Sequence, residues 1–353
     1  MSSMPEYNGS IGRGLSAEAQ STLERFRQYV FSVTQLESYG RCPFQFFADK
    51  VLRLNVLPEL EEGLTPLERG GILHEILFEF YVDRRTRHLP PIFEVTERQF
   101  DEAVEELVAI ARRKIDELDI PDIFWSVEKE LLFGARNRRG ILQGFLDAER
   151  ERPLEVVPAY FEVAFGGRIG PSRKTDPDLI HEQPILTGNV RLRGKVDRIE
   201  IGEKNFTIID YKTGATVAKR KDIELGLILQ LPVYLYAVER ILSEKIGKQL
   251  DGVAGTYYLL RSTVKEELGL GNKEFFGKAF SVGKRSAQLA ANDRELRSII
   301  DQAIVFVNDY VDRIAGGEFP VQPKIPKTVC KTCDFQTMCR IRSRISVYED
   351  NAS

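Results

Sequence analysis

The sequence is poor in the residues on which several protein classes depend. Its 353 residues include only four cysteines, three histidines and one tryptophan. Four cysteines are too few for a disulfide-rich scaffold, and no apolar run reaches the roughly 20 residues that a membrane-spanning helix needs. The N-terminal segment MSSMPEYNGSIGRGLS lacks the basic and apolar regions of a secretory signal, so we expect a cytoplasmic protein.

The chain also lacks an excess of positive charge. Its 50 Lys and Arg residues are balanced by 53 Asp and Glu residues, which gives a formal net charge of −3. This balance excludes binding of nucleic acid by bulk positive charge, so any such site must be a local basic cleft. The sequence contains no G-x-x-x-x-G-K-S/T phosphate loop, so the chain cannot be an ATP-driven motor by itself.

Hydrophobic periodicity divides the chain into four regions. Residues 1–30 are predicted to be a flexible lead, and residues 31–150 repeat apolar positions at helical spacing. Residues 151–315 combine β-branched segments with helical ones, and residues 316–353 form a cysteine-bearing tail. The expected class is therefore α/β (α+β), with a central mixed sheet flanked by helices and an N-terminal helical region.

Within residues 151–315, three successive strands are expected at VVPAYFEVAF, GNVRLRGKVDRIEI and FTIIDYKTG. A helix is predicted over about residues 223–242, followed by a strand at GVAGTYYLL. A long amphipathic helix comes next, and Gly316 with Gly317 predicts where it stops.

The cysteines form one candidate ligand set. Cys330, Cys333 and Cys339 are spaced C-x2-C-x5-C in CKTCDFQTMC, and Cys42 in YGRCPFQFF supplies a fourth thiol. Thiolates are soft ligands, and a two-residue gap lets one turn present two sulfurs to one metal centre. Four thiolates suit either structural zinc or a [4Fe–4S] cluster; the spacing does not decide between them, and zinc is the default on composition.

Acidic and basic side chains share faces of two neighbouring predicted strands. Asp210 and Lys212 are two residues apart, so they point to the same side of their strand. Asp197 ends a charged row with Arg193 and Lys195 on the preceding strand, where it could meet Asp210 across the hairpin. Two such carboxylates form a hard oxygen site for Mg²⁺ or Mn²⁺. An exposed Asp–Lys pair gives the same pattern, so the motif alone leaves both interpretations open.

Four more residues extend this candidate site. Gln230 and Tyr234 are four apart on one predicted helix face, a spacing that half-buried core residues share. His74 lies in the periodic segment GGILHEILFEF, where a histidine is either structural or a metal ligand. Glu162 is a charged residue inside the apolar strand AYFEVAF, which is costly unless it is paired or bound to a metal.

In their order along the chain, these segments resemble the RecB-type branch of the PD-(D/E)XK nuclease superfamily, and most closely the AddB-like nuclease domains with an iron–sulfur cluster. The resemblance covers most of the chain and rests on YGRCPFQFF, GGILHEILFEF, GKVDRIE, IIDYKTG, QLPVY and CKTCDFQTMC. It implies a restriction-endonuclease-like core and metal-dependent hydrolysis of DNA. The expected enzyme is an exonuclease for DNA ends or single strands, in recombination or repair, and part of a helicase–nuclease system.

The resemblance also implies roles for individual residues. Mg²⁺ or Mn²⁺ would be bound by His74, Asp197, Asp210, the backbone carbonyl of Tyr211 and, as an addition, Glu162. Lys212 would position or activate the attacking water. The residues that would orient this lysine or contact the DNA backbone are Gln230 and Tyr234. The ligands of a [4Fe–4S] cluster, in place of zinc, would be Cys42, Cys330, Cys333 and Cys339.

Relatives of this type are usually the C-terminal part of a longer helicase-like polypeptide, so the chain is either a stand-alone nuclease or a fragment. A CRISPR-type adaptation exonuclease shares the motifs and the cluster, but generally in a much shorter chain. The helical segment before Leu154 disfavours that alternative. A non-catalytic DNA-binding scaffold held together by the cluster is a third possibility, which the presence of every expected catalytic residue disfavours.

Overall fold

A computed structural model describes residues 9–11, 15–54, 64–118, 122–136, 138–152, 154–167, 174–214, 219–281, 288–331 and 333–339. The central feature of these residues is one large sheet. Its strands are β1 (Val30–Ser32), β4 (Val157–Phe165), β5 (Ile185–Thr187), β6 (Val190–Ile201), β7 (Asn205–Lys212), β8 (Asp251–Leu259), β9 (Lys265–Asn272) and β10 (Leu289–Ala290). A separate hairpin is formed by β2 (Gly134–Ala135) and β3 (Arg138–Arg139).

Twelve α-helices surround or extend this sheet in the described residues. They are α1 (Ala17–Glu24), α2 (Val33–Arg41), α3 (Pro43–Phe46), α4 (Pro66–Thr86), α5 (Glu97–Asp116), α6 (Asp122–Phe133), α7 (Ile141–Arg150), α8 (Arg220–Glu224), α9 (Gln230–Ile246), α10 (Asp293–Ala315), α11 (Pro326–Val329) and α12 (Gln336–Cys339). None of these helices combines the length and the apolar character that crossing a membrane would require.

The sheet is mixed, with the strand order β1-β6-β7-β8-β9-β10, and β4 and β5 also pair with β6. The pairs β1–β6, β7–β8 and β9–β10 are parallel, whereas β4–β6, β5–β6, β6–β7 and β8–β9 are antiparallel. The long strand β6 therefore joins most of the sheet together. The predicted α/β class with a central mixed sheet is confirmed.

Helices cover both faces of the sheet because successive residues of its strands point to opposite sides. On β7, Ile208 joins an apolar core with α2, α9 and α10. The next residue, Ile209, joins a second core with α4, α5 and α7. Asp210 follows the alternation onto the α9 side, where Gln230 contacts it. The sheet thus places the end of β7 between two helical layers.

Two sequence predictions are corrected by the structure. The flexible lead over residues 1–30 is wrong for its second half, because Ala17–Glu24 is helical, with Ser16 as its N-cap, and Leu23 is buried in the core. The single helix over residues 223–242 is divided: α8 ends at Glu224 and α9 begins at Gln230.

The division between α8 and α9 has a local cause. Gly226 lies between the two helices with a φ of +71°, a left-handed conformation that glycine adopts without strain. Pro232 then falls in the first turn of α9, where its missing N–H group removes no helical hydrogen bond. The helix therefore starts just before the proline and is not kinked by it.

A buried charge network lies under the α4 and α7 side of β6. Arg198 is 1% exposed, and its guanidinium donates to Glu149 at 2.7 Å and to Tyr81 Oη at 3.0 Å, and also to Glu200. Arg152 shares the Glu200 carboxylate at 2.8 and 2.9 Å. Every charge in this network has an opposite partner, which is the condition for keeping such groups away from water.

Replacing Arg198 with alanine is expected to cost about 3 to 5 kcal/mol of the free energy of unfolding, because Glu149 and Glu200 lose a shared cation inside the protein. Arg191→Ala, on the exposed part of the same strand, should change stability by no more than about 0.5 kcal/mol. Urea denaturation measures both variants. An Arg198→Ala protein as stable as Arg191→Ala would contradict this account of the network.

Candidate active site

A cavity of about 590 Å³ lies between helix α4 and the neighbouring strands of the sheet. Polar side chains from several elements converge on it. Among them are His74, Glu162, Asp197, Asp210, Lys212 and Gln230. The register of the sheet explains the meeting of the two aspartates, since Arg198 of β6 pairs with Ile209 of β7 and so Asp197 lies opposite Asp210. The hairpin contact predicted from the sequence is present.

Glu162 occupies an unusual backbone position inside β4. Its φ is +52°, a left-handed conformation that costs a residue with a side chain roughly 1 to 2 kcal/mol. Its neighbours Phe161 and Val163 consequently lie in different cores, although residues two apart on a regular strand share a face. Strained residues of this kind are concentrated at functional sites. In this protein the distortion brings the Glu162 carboxylate into the cavity.

His74 links the α4 side of the cavity to the sheet. Its Nδ1 lies 2.9 Å from Glu162 Oε1 and 3.5 Å from Asp197 Oδ1. The ligand atoms of His74, Glu162 and Asp197 all lie within 4.8 Å of one another, which makes them a group able to hold a metal ion. One imidazole nitrogen and two carboxylate oxygens suit Mn²⁺ or Mg²⁺.

Asp210, Lys212 and Gln230 form a second group beside the first. Lys212 Nζ lies 2.6 Å from Asp210 Oδ2, and the Gln230 amide donates to Asp210 Oδ1 at 2.7 Å. Lys212 also donates to Gln230 Oε1 at 3.5 Å. The Asp197 carboxylate accepts the backbone N–H of Tyr211 at 2.9 Å. The two aspartates are thus held by different partners, although they face the same cavity.

The charges of the cavity shift the pKa values of its residues in opposite directions. Burial raises the pKa of Asp210, and the nearby Asp197 raises it further, to about 7. Burial would lower the pKa of His74, but Asp197 and Glu162 outweigh it and raise that pKa well above 6.5. Burial would raise the pKa of Asp197, but His74 and the Tyr211 N–H lower it. His74 and Asp197 therefore form an ion pair in the metal-free protein, beside an aspartate that holds its proton up to neutral pH.

The metal-free protein is expected to lose stability as the pH rises through 7. In the unfolded chain Asp210 has an ordinary carboxyl pKa, whereas in the folded protein its pKa is about 7. The folded state then holds a proton that the unfolded state has released, so stability is greatest at low pH and is lost as Asp210 ionises. Between about pH 6 and pH 8 the free energy of unfolding should fall by about 1.4 kcal/mol from this residue.

Denaturant titrations in chelator at the two pH values measure this dependence. The raised pKa of His74 acts with the same sign, so some pH dependence will persist in Asp210→Asn. That variant should nevertheless lose the part of the dependence that Asp210 contributes. An Asp210→Asn protein with the full pH dependence of the wild type would contradict the assignment.

Tyr234 and Tyr211 lie at the site in different ways. Tyr211 lines the cavity, whereas Tyr234 is not among its lining residues in the described part of the chain. Tyr234 is 6% exposed and packs edge-on against Phe165, with ring centroids 5.9 Å apart. A side chain on Gly194 would reach within 2.8 Å of the Tyr234 ring, so glycine permits this packing. The structure therefore supports a packing position for Tyr234 and leaves its predicted DNA contact a prediction.

Lys195 is a cavity residue to which the sequence pattern gave no role. Its ammonium group forms an ion pair with Glu162 Oε2 and is about one third exposed. Each of the three carboxylates therefore has a cationic neighbour: Lys195 for Glu162, His74 for Asp197 and Lys212 for Asp210. The signal in the sequence was the charged row on β6, where Lys195 precedes Asp197 by two residues.

The cysteine segments meet on another part of the molecule. Cys42 is buried directly after α2, Cys330 follows α11, and Cys339 ends α12. The backbone N–H of Lys324 donates to the carbonyl of Arg41 at 3.0 Å, which fixes the C-terminal segment beside Cys42.

The electrostatics of the thiols also place the cysteines near one another. Burial raises the pKa of Cys42, and Cys333 and Cys330 contribute in the same direction. Burial likewise raises the pKa of Cys333, and Cys339 adds to that effect. The fold thus brings the two distant cysteine segments of the sequence together, and the donors are four thiols.

Comparison with known proteins agrees with this geometry. Residues 30–340 match the family model of the PD-(D/E)XK nuclease superfamily, which includes every residue of the cavity and all four cysteines. The chain belongs to this superfamily. Membership implies a nuclease that uses a divalent metal ion.

Several proteins that are named as a subunit of an ATP-dependent helicase/deoxyribonuclease are distantly similar to this superfamily member. The protein of Thermoanaerobacter sp. (strain X514) is 22% identical over 375 aligned positions, which cover 89% of this chain and 30% of the relative. Those of Clostridium botulinum (strain Loch Maree / Type A3) and Moorella thermoacetica are 25% and 26% identical, over 79% and 77% of this chain. The chain spans less than a third of the length of these relatives.

Proposed function

We propose that this chain is a divalent-metal-dependent DNA nuclease, and specifically an exonuclease that acts on DNA ends or single strands. The observation that supports this best is the group His74, Glu162 and Asp197, with ligand atoms within 4.8 Å of one another, beside the Asp210–Lys212 pair. The relatives are named helicase/deoxyribonuclease, which supports DNA as substrate. Their name also supports a role in recombination or repair with a helicase partner.

The residues of the cavity have separate tasks in the proposed reaction. The bound ion would polarise the scissile phosphate and lower the pKa of a bound water. Its ligands would be His74, Glu162, Asp197, Asp210 and the backbone carbonyl of Tyr211. Lys212 would place a positive charge where negative charge develops on the phosphate and would orient the attacking water. Gln230 would keep Lys212 and Asp210 in place, since its amide group contacts both.

For the four cysteines we propose a [4Fe–4S] cluster that ties the segment after α2 to the C-terminal segment. The donor set of four thiols fits such a cluster. The Lys324–Arg41 backbone hydrogen bond, at 3.0 Å, holds the two segments together next to it. In this proposal the cluster stabilises the fold and takes no part in the hydrolysis.

A pair of DNA substrates tests the proposed exonuclease activity. The protein is incubated with Mn²⁺ and single-stranded DNA, either linear and labelled at one end or closed into a circle of the same sequence. An exonuclease degrades the linear strand and leaves the circle intact. Equal cleavage of both would contradict the requirement for an end. Tight DNA binding without any metal-dependent cleavage would favour a non-catalytic DNA-binding module.

A further inference from the structure

A buried glutamate outside the cavity contacts the helix that carries Gln230. Glu37 lies in α2 and is 3% exposed. Its Oε1 accepts the backbone N–H groups of Leu229 at 2.7 Å and of Gln230 at 2.9 Å. Its Oε2 accepts Arg41 at 3.3 Å, one turn later in α2. The carboxylate therefore caps the start of α9 from a neighbouring helix.

Helix α9 needs such a partner because its own sequence supplies no cap. The N-cap residue is Leu229, whose apolar side chain makes no capping hydrogen bond. The first N–H groups of a helix have no intrahelical acceptor, and their partial positive charge favours an anion. Pro232 has no N–H group to satisfy. Glu37 thus answers the amide groups that α9 leaves open.

The residue that Glu37 holds by its backbone is the one that holds the candidate catalytic pair by its side chain. Gln230 donates to Asp210 at 2.7 Å and accepts from Lys212 at 3.5 Å. The Glu37 charge also reaches Lys212 directly, since it contributes to the raised pKa of that lysine. A chain of contacts therefore runs from α2 through the first turn of α9 to the end of β7.

We propose that Glu37 is a positioning residue, which fixes the first turn of α9 so that Gln230 aligns Asp210 and Lys212. The inference rests on the proposed nuclease function for its activity readout, but its structural content is independent of that function. Because α2 ends at Arg41, immediately before Cys42, the same helix connects the cysteine segment to the candidate active site. Outer partners of metal ligands typically change metal affinity or activity by about 10- to 100-fold when they are removed.

Three replacements of Glu37 separate the length of its side chain from its charge. Glu37→Gln keeps an oxygen that can accept both N–H groups, so its cleavage rate with saturating DNA should stay within about threefold of the wild type. Glu37→Asp keeps the charge but is too short to reach Leu229 and Gln230, and Glu37→Ala removes the acceptor. Both should lower the rate by about 10-fold or more, with the KM for DNA unchanged. If Glu37→Ala does not fold, the comparison of Gln with Asp decides.

A double-mutant cycle tests the route through Gln230. In a Gln230→Ala background, Glu37→Asp should lower the rate by less than about twofold, because the side chain that it positions is already absent. Ser32→Ala is the matched control, since it removes the cap of α2, in which Ser32 Oγ accepts the Gln35 N–H at 3.2 Å. It should lower the midpoint of thermal unfolding and leave the rate of the folded protein unchanged.

Calorimetric titration with Mn²⁺ provides a readout that does not need cleavage. Glu37→Asp should lower the affinity for Mn²⁺ by about tenfold, whereas Ser32→Ala and Glu37→Gln should not. A wild-type protein that cleaves no DNA would contradict the proposed function, and the Mn²⁺ titrations would still test the role of Glu37. Equal rates and equal Mn²⁺ affinities in Glu37→Asp and wild type, or full multiplicative losses in the cycle, would overturn the inference.

Discussion

Asp197→Asn is expected to abolish tight Mn²⁺ binding and to lower DNA cleavage at least about a thousandfold, a loss of several kcal/mol of transition-state stabilisation. Asn keeps the shape of the side chain and an oxygen for the Tyr211 N–H, which Asp197 accepts at 2.9 Å. What it removes is a negative charge between His74 and Asp210. The loss should therefore concern the metal ion and leave the fold intact.

Titration of His74 gives this prediction a second readout. Asp197 is the group that raises the pKa of His74 most, against the lowering effect of burial. In Asp197→Asn the pKa of His74 should fall, as measured by NMR in the metal-free protein. Glu203→Gln, in the turn between β6 and β7, is a control that changes the same charge at an exposed position. Wild-type Mn²⁺ affinity in Asp197→Asn would contradict the assignment of this residue as a ligand.

Cys42→Ser is expected to remove the proposed cluster and to destabilise the protein by at least several kcal/mol. Anaerobically purified wild-type protein should be brown, with broad visible absorbance and about four iron atoms per chain. Because Cys42 is the ligand that precedes the nuclease core, its loss would release the connection between the segment after α2 and the C-terminal segment. Iron analysis and thermal unfolding measure the two consequences.

Met338→Ser is the matched control for Cys42→Ser. Met338 lies beside Cys339 in α12 and is 52% exposed, so the change introduces the same serine next to the ligand set without removing a thiol. It should keep the colour and the stability of the wild type. A colourless wild-type protein with stoichiometric zinc would refute the iron–sulfur assignment. That result would leave the carboxylate site untouched, because the two proposals depend on different residues.

The parts of the site that local patterns encode could be predicted from the sequence. Alternation along β7 placed Asp210 and Lys212 on one face, and the hairpin between β6 and β7 brought Asp197 opposite Asp210. Helical spacing placed His74 on a helix and Gln230 near the start of α9. These features follow from periods of two and 3.6 residues, which a few neighbouring residues are enough to define.

The remaining features depend on contacts between distant residues or on strain. Nothing in AYFEVAF indicates that Glu162 has a φ of +52°, because left-handed residues are usually glycine and this one is held by the surrounding sheet. The capping of α9 by Glu37 joins residues 192 positions apart. The flexible lead was wrong for Ala17–Glu24 because its helix gains stability by packing Leu23 against the core.

The central claim is that the cavity around Asp197, Asp210 and Lys212 hydrolyses DNA. Its most direct test is the single-turnover rate of cleavage of linear single-stranded DNA, with Mn²⁺, by the wild type and by Lys212→Ala. We predict metal-dependent cleavage by the wild type, and a rate at least about 100-fold lower for Lys212→Ala, since that side chain supplies the charge beside the phosphate. Cleavage that is unchanged in Lys212→Ala would contradict the proposed site.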